Sequence, residues 1–175
     1  ACFASISDQI ISKIGYKPIL HTLNSGGIER FPNAQFDMVR LGIGLYGVSA
    51  VHGEHLQPVS TLRTYVAQLR SLQPGDTVGY SRKGLVQKPS TIATIPIGYA
   101  DGLNRRLSNG VGKVMVNGQL APIIGSICMD LSMVDVTGIP VQEGDEVIIF
   151  GAKPSITDMA NALGTIPYEL SLIHI

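Results

Sequence analysis

Arg40 stands in an otherwise apolar run, Met38-Val39-Arg40-Leu41-Gly42-Ile43-Gly44-Leu45-Tyr46-Gly47. A guanidinium buried there without a partner would be costly. It must meet a ligand, an ion-pair partner or water, and a surface-facing arginine is the plain alternative. Gly42 and Gly44 let the backbone come close to whatever it meets. Upstream, Leu23-Asn24-Ser25-Gly26-Gly27 combines a hydroxyl with glycines at the expected start of a helix. That chemistry suits an anion such as a phosphate, although a Ser-Gly-Gly turn is also an ordinary connection. Three of the six tyrosines sit in polar or Gly/Pro-rich settings: Tyr80 after Asp76-Thr77-Val78-Gly79, Tyr99 within Ile95-Pro96-Ile97-Gly98-Tyr99-Ala100-Asp101-Gly102, and Tyr168 within Thr165-Ile166-Pro167-Tyr168-Glu169. Singly, each reads as a half-buried anchor with its hydroxyl in water.

Other chemistries find less support. His21, His52, His55 and His174 are not spaced with cysteines as metal ligands are, so no metal site is expected. His52 and His55 read as solvated loop residues. Cys128, between Ile127 and Met129, reads as a small buried hydrophobe. Cys2 and Cys128 make no disulfide framework, which favours a reducing, cytoplasmic setting. No Gly-x-Ser-x-Gly elbow is present. Thirteen basic residues balance thirteen acidic ones without a run of either sign, so neither a nucleic acid nor a membrane surface is the expected partner.

The elements that must position these residues change character along the chain. Ile6 to Ile14 repeat at helical spacing, and Gly15 is placed to stop that helix. A short apolar strand is expected in Lys17–Leu23, then a broken helix interrupted at Pro32, then a strand or tight loop over Leu41–Gly47. This is helix-strand-helix grammar, too short to close a sheet by itself. From about Leu56 short strands and turns take over. Asn117-Gly118 marks a two-residue hairpin. The runs Gln73-Pro74-Gly75-Asp76 and Gln142-Glu143-Gly144-Asp145 mark two similar hairpin starts. Such a pattern favours a small β-barrel or sandwich. A final helix is expected near Thr157 and Asp158, stopped at Gly164.

Taken in order, the stretches LNS, VRLGIGLYG, VGY, IPIGYADG, GSICMDLSMVDV and IPYE resemble alanine racemase, the fold-type III pyridoxal-phosphate enzyme. The resemblance spans residues 21 to about 169. It implies a mainly β fold. Residues 1–50 would be a remnant of the C-terminal end of a (β/α)8 barrel, its last helix-strand-helix, and residues 51–175 the C-terminal β-domain. The abrupt N-terminus likewise reads as the middle of a helix, so a fragment is expected.

Roles follow by position. The resemblance makes Ser25, Gly42, Ile43 and Tyr168 ligands of the pyridoxal 5'-phosphate phosphate group, and Arg40 the group facing the pyridine nitrogen. A guanidinium only donates, so it would leave that nitrogen unprotonated. Tyr80 corresponds to the catalytic tyrosine, one of two bases acting on opposite faces of the substrate Cα. A phenol holds its proton at neutral pH in water, so that role calls for positive charge nearby. Tyr99 corresponds to a gate at the substrate entrance. Met129 corresponds to a backbone N–H donor to the substrate carboxylate, with Asp130 in support. Tyr80, Tyr99 and Met129 would serve the partner subunit's site in a homodimer.

The implied reaction interconverts L- and D-alanine, supplying D-alanine for peptidoglycan. The cofactor lysine and the substrate-binding arginine of the family fall outside this chain, so the chain alone is expected to be inactive. Two departures stand out: Ser81 occupies a position where many relatives have glycine, and Leu170–Ile175 does not resemble the family's last strand. A racemase of another small amino acid such as serine is the near alternative. A non-catalytic β-barrel binding module is the alternative of a different class, and it gives no reason for Arg40, Tyr80, Tyr99 and Tyr168 to fall on these motifs.

Overall fold

Nine short strands and four α-helices make up the computed structural model, which describes residues 2–49, 51 and 56–171. His52, His55, His174 and the last four residues of the chain lie outside the described residues. The chain divides into two compact units, residues 1–57 and 58–175.

In the first unit, helix α1 (Cys2–Ile14) ends as its sequence dictates: Gly15 takes a left-handed φ of 77° and donates its N–H to Ile11 O at 3.0 Å. Helix α2 (Ser25–Arg30) stops before Pro32, and one turn of 3-10 helix follows at Pro32–Ala34. The strand expected in Lys17–Leu23 is reduced to a single parallel bridge, His21 to Met38. The glycine-alternating run folds as a 3-10 turn over Ile43–Tyr46 rather than as a strand. Both segments have the apolar content of strands, but a strand is completed by neighbours; among the described residues the first bridges only Met38, and the second bonds to Ser25 Oγ and within its own turn.

The second unit is mainly β. Strands β1 (Leu62–Tyr65) and β2 (Gln68–Leu72) come from one alternating run that breaks at Val66-Ala67 and feeds two different sheets. Then come β3 (Thr77–Val78), β4 (Gly84–Leu85), β5 (Ser90–Ile95), β6 (Lys113–Val116), β7 (Gln119–Pro122), β8 (Ser132–Asp135) and β9 (Glu146–Phe150). They form sheets ordered β1-β9-β6-β7, β2-β5-β8 and β3-β4, with every pairing antiparallel. An Ile123–Val134 bridge joins β7 to β8 and so links the two larger sheets. Their inward faces share one core: Ala93, Ile95 and Val134 from one sheet and Val114, Val116, Val147 and Ile149 from the other are fully buried. The expected hairpin is present, with Asn117 and Gly118 both at positive φ, as a type I′ turn requires.

The two Gly-Asp turns share one local geometry. In each, the Asp carboxylate accepts the N–H of the Gln three residues back (Gln73 at 2.7 Å, Gln142 at 3.0 Å), and Gly75 and Gly144 take φ of 94° and 93°. They nevertheless open different sheets, one leading into β3 and the other into β9. The last helices are α3 (Ile156–Leu163) and α4 (Pro167–Ser171). Ser155, not Thr157, caps α3: its Oγ accepts from Asp158 N at 3.0 Å, while Asp158 accepts from Ser155 N at 2.9 Å. Thr157 is already inside the helix, and a cap must precede it. The Ser155 N–H and hydroxyl hold the Asp158 carboxyl below its ordinary range.

Candidate active site

Each unit organises its own set of the residues singled out by sequence. In the first, segments 20–23 and 37–40 run side by side with α2 connecting them. Asp37 and Met38 donate their N–H groups to Leu20 O at 3.0 and 3.2 Å, and Arg40 N donates to Leu23 O at 2.8 Å. The Asp37 carboxylate accepts from Lys17 Nζ at 2.9 Å and Leu20 N at 3.0 Å, and these two bonds hold it below the usual carboxylate range. Asn24 Oδ1 caps α2 through Gly27 N at 3.0 Å, which puts Ser25 at the first helical position.

Ser25 is 2% exposed. Its Oγ accepts the N–H of Gly42 at 2.9 Å and of Gly44 at 3.2 Å. A serine hydroxyl has two acceptor sites and one donor. With both acceptor sites engaged, its own proton is what remains to give. Between those glycines, Ile43 N donates to no group among the described residues. The resemblance makes Gly42 and Ile43 N–H donors to a phosphate; here the Gly42 and Gly44 N–H groups go to Ser25 Oγ, and the Ile43 N–H is the one left unengaged. Arg40 is an exposed side chain, and its Nη2 donates to Thr22 O at 3.1 Å. That bond anchors the guanidinium on the backbone of the segment that ends in Ser25.

In the second unit, Tyr80, Tyr99 and Met129 are brought together by one stretch of backbone, residues 125–131. The β3–β4 hairpin that carries Tyr80 crosses it so closely that a Cβ on Gly84 would lie 2.8 Å from Gly125 Cα, and one on Gly79 would lie 3.1 Å from Ser126 N. The turn that carries Tyr99 docks three residues further on: Tyr99 N donates to Cys128 O and Ala100 N to Met129 O, both at 3.0 Å. Met129 itself lies on this stretch, and its N–H donates to no group among the described residues. Tyr80, Tyr99 and Met129 are 72%, 46% and 55% exposed. The Arg105 guanidinium lies 5.7 Å from the centre of the Tyr99 ring, a cation–π contact. Tyr168 lies on α4 rather than on a loop that docks on this stretch.

Tyr80 is held on a strained turn. Gly79 has φ 75°, and the two residues after the tyrosine, Ser81 and Arg82, have φ 58° and 53°. Arg82 Nε steadies the turn through Thr77 Oγ1 at 3.1 Å. Ser81 sits in the left-handed region, where a side chain costs roughly 1–2 kcal/mol. Ser81→Gly is therefore expected to stabilise the protein by about 1 kcal/mol, seen as a rise of about 2–4 °C in the thermal midpoint. A lowered midpoint would argue against this turn geometry.

Three positions had no part in the roles assigned from sequence: Gly98, Asp101 and Ser132. A readable signal existed for one of them. Gly98-Tyr99-Ala100-Asp101 has an acidic residue at the third position of a turn, the spacing of a helix N-terminal cap, and Asp101 Oδ2 does accept Gly98 N at 2.9 Å. Ser132, whose Oγ donates to Ile97 O at 2.7 Å, carried no local signal because its partner is 35 residues away.

Comparison with known proteins identifies the family. The family model "Alanine racemase, C-terminal domain" matches residues 59–173, and "Alanine racemase, N-terminal domain" matches residues 1–50. Alanine racemase 1 of Clostridium acetobutylicum is 44% identical over 162 residues, 87% of this chain and 42% of the relative. The Sorangium cellulosum alanine racemase is 39% identical over 175 residues, 93% of this chain and 46% of the relative. Among solved structures, alanine racemase of Clostridium difficile 630 superposes with a TM-score of 0.86 at 34% identity, covering 95% of this chain and 45% of that one. The Bartonella henselae alanine racemase, solved with covalently bound pyridoxal phosphate, gives 0.79 at 38% identity, covering 95% and 48%. The chain thus spans a little under half the length of these relatives. It belongs to the alanine racemase family.

Proposed function

We propose that the protein containing this chain is a pyridoxal-phosphate-dependent alanine racemase that interconverts L- and D-alanine, providing D-alanine for cell-wall peptidoglycan in the cytoplasm. The observation that carries this reading is the Ser25 cradle: a buried hydroxyl that accepts two backbone N–H groups, keeps its own proton free to donate, and has the unengaged Ile43 N–H beside it. A site whose remaining groups are donors fits an anionic oxygen such as a phosphate.

Pyridoxal phosphate, when bound, supplies the electron sink that makes the Cα proton of alanine removable. Ser25, Ile43 and Tyr168 hold its phosphate, and Gly42 acts there through the bond its N–H makes to Ser25 Oγ. Arg40 donates toward the ring nitrogen and, having no acceptor, withholds a proton from it. Tyr80 carries the proton at Cα on one face. The Met129 N–H binds the substrate carboxylate, and Tyr99 stands at the entrance, with Asp130 supporting Met129. The other proton carrier, the cofactor lysine, belongs to the barrel portion that residues 1–50 complete, with residues 51–175 forming the β-domain. Tyr80, Tyr99 and Met129 serve the neighbouring subunit's site, so the working unit is a homodimer.

The test is direct. The complete protein, purified, is expected to show the absorbance of bound pyridoxal phosphate, to sediment as a dimer, and to convert L-alanine to a racemic mixture in preference to L-serine. A colourless protein that leaves L-alanine unchanged sinks the reading.

A further inference from the structure

Two exposed substrate-facing positions, Tyr99 and Met129, sit on separate loops, and the structure ties those loops together through groups that do not themselves face substrate. Tyr99 N and Ala100 N donate to Cys128 O and Met129 O, both at 3.0 Å. This pair of bonds requires the two backbones nearly in contact. A Cβ on Gly98 would lie 2.1 Å from Met129 O and 2.5 Å from Cys128 O, far inside any tolerable separation. Both obstacles are backbone atoms, so no rotamer change relieves them.

The turn is held in the shape that makes this docking possible. Asp101 Oδ2 accepts Gly98 N at 2.9 Å, and Gly98 O accepts the N–H groups of Asp101 and Leu103 at 3.2 and 3.1 Å. The docking partner is fixed as well. Cys128 N donates to Leu131 O at 2.9 Å, closing the loop around Met129. The fully buried Ser132 bonds Ile97 O at 2.7 Å, tying the base of one loop to the base of the other. Leu103 and Ile127, both buried, pack beneath. The Arg105 guanidinium lies over the Tyr99 ring from outside.

We propose that Asp101 is a positioning residue for substrate binding: by shaping the Gly98–Asp101 turn, it locks the Tyr99 loop onto the Cys128–Met129 backbone, so that the entrance tyrosine and the Met129 N–H are presented as one rigid unit. The proposal rests on the reading above that Tyr99 and Met129 face the substrate. Asp101 touches no substrate in it and acts through the turn alone. Its removal therefore weakens binding of the carboxylate end of alanine more than it slows proton transfer at Cα.

The experiment uses the complete protein with Asp101→Ala and Asp101→Asn. Asp101→Ala removes the acceptor for Gly98 N. Asp101→Asn keeps an oxygen there and loses only the charge. Amide hydrogen exchange is followed in the peptide covering 97–103, without substrate, alongside KM and kcat for L-alanine. The expected result has three parts: faster exchange in that peptide for the alanine variant with none in β6, a KM raised about tenfold (a loss of ~1.4 kcal/mol) with kcat within about threefold, and return of both towards wild type in the asparagine variant. Unchanged exchange at 97–103 overturns the clamp, whatever the kinetics. Faster exchange with an unchanged KM leaves the clamp in place but overturns its link to substrate, and with it the placing of Tyr99 and Met129 at the substrate. A fall in kcat alone overturns the positioning role. Gly98→Ala is the severe form of the same lesion. Should it fail to accumulate as folded protein, the exposed Asp101 variants still decide the matter.

Discussion

Tyr80→Phe in the complete protein is expected to cut alanine racemisation in both directions by about 10²–10⁴-fold, the usual worth of a positioned proton carrier. The cofactor absorbance should remain. The substitution removes one oxygen from a side chain that is 72% exposed and donates to no protein group among the described residues. It disturbs neither the Gly84–Gly125 crossing nor the Arg82–Thr77 bond that shape its turn, so fold and stability should be almost unchanged. The loss is therefore assigned to chemistry rather than to structure. A single residue on one face of Cα also predicts an asymmetric isotope record. In D2O, the variant should still exchange the Cα hydrogen of one enantiomer for deuterium without inverting it, through the surviving carrier, while the other enantiomer stays almost unlabelled, since only one face has lost its carrier. Equal deuterium exchange into the two recovered enantiomers, undiminished racemisation, or loss of cofactor absorbance would remove Tyr80 from the catalytic role and leave it a wall of the site.

What could be read from the sequence divides along the range of the interaction involved. Local rules located the end of α1 at Gly15, the Asn117-Gly118 hairpin and the two Gly-Asp turns, because each depends on a bond within about four residues. The same rules misplaced the start of α3 by two residues, since Thr157 and Ser155 are both competent caps and only the bond to Asp158 decides between them. The apolar run at 17–23 reads as a strand, but strand formation is decided by a neighbour, and among the described residues the first unit supplies one bridge; the run at 41–47, a strand or tight loop by its residues, takes the second form as a 3-10 turn. The candidates the residue types themselves mark out are those with unusual chemistry for their setting: a cation among aliphatics at Arg40, a serine among glycines at Ser25. The common platform at 125–131 was not legible. It consists of carbonyls and N–H groups of Cys128, Met129 and Ser126, and backbone groups leave no mark in residue type except through the glycines that approach them.

Ser25→Ala is the second large effect expected, and it should differ in kind from the first. Removing Oγ takes the acceptor from Gly42 N and Gly44 N together. Both donors lose their partner, so the 3-10 turn at Ile43–Tyr46 should loosen, with the Ile43 N–H no longer held in place. A hydrogen bond to a charged phosphate contributes about 1.5–3 kcal/mol, so its loss alone weakens binding by roughly 10- to 150-fold. Pyridoxal phosphate affinity, read by titrating the stripped protein and following absorbance, should therefore fall by at least tenfold. At saturating cofactor kcat should recover to within a few fold, because Ser25 lies at the phosphate end in this reading and Tyr80 at the reacting carbon. Unchanged cofactor affinity would show that the phosphate does not sit at Ser25. A kcat that stays low at saturation would show instead that the loosened turn shifts Arg40, whose backbone N–H and guanidinium are bonded to Leu23 and Thr22, two and three positions before that serine.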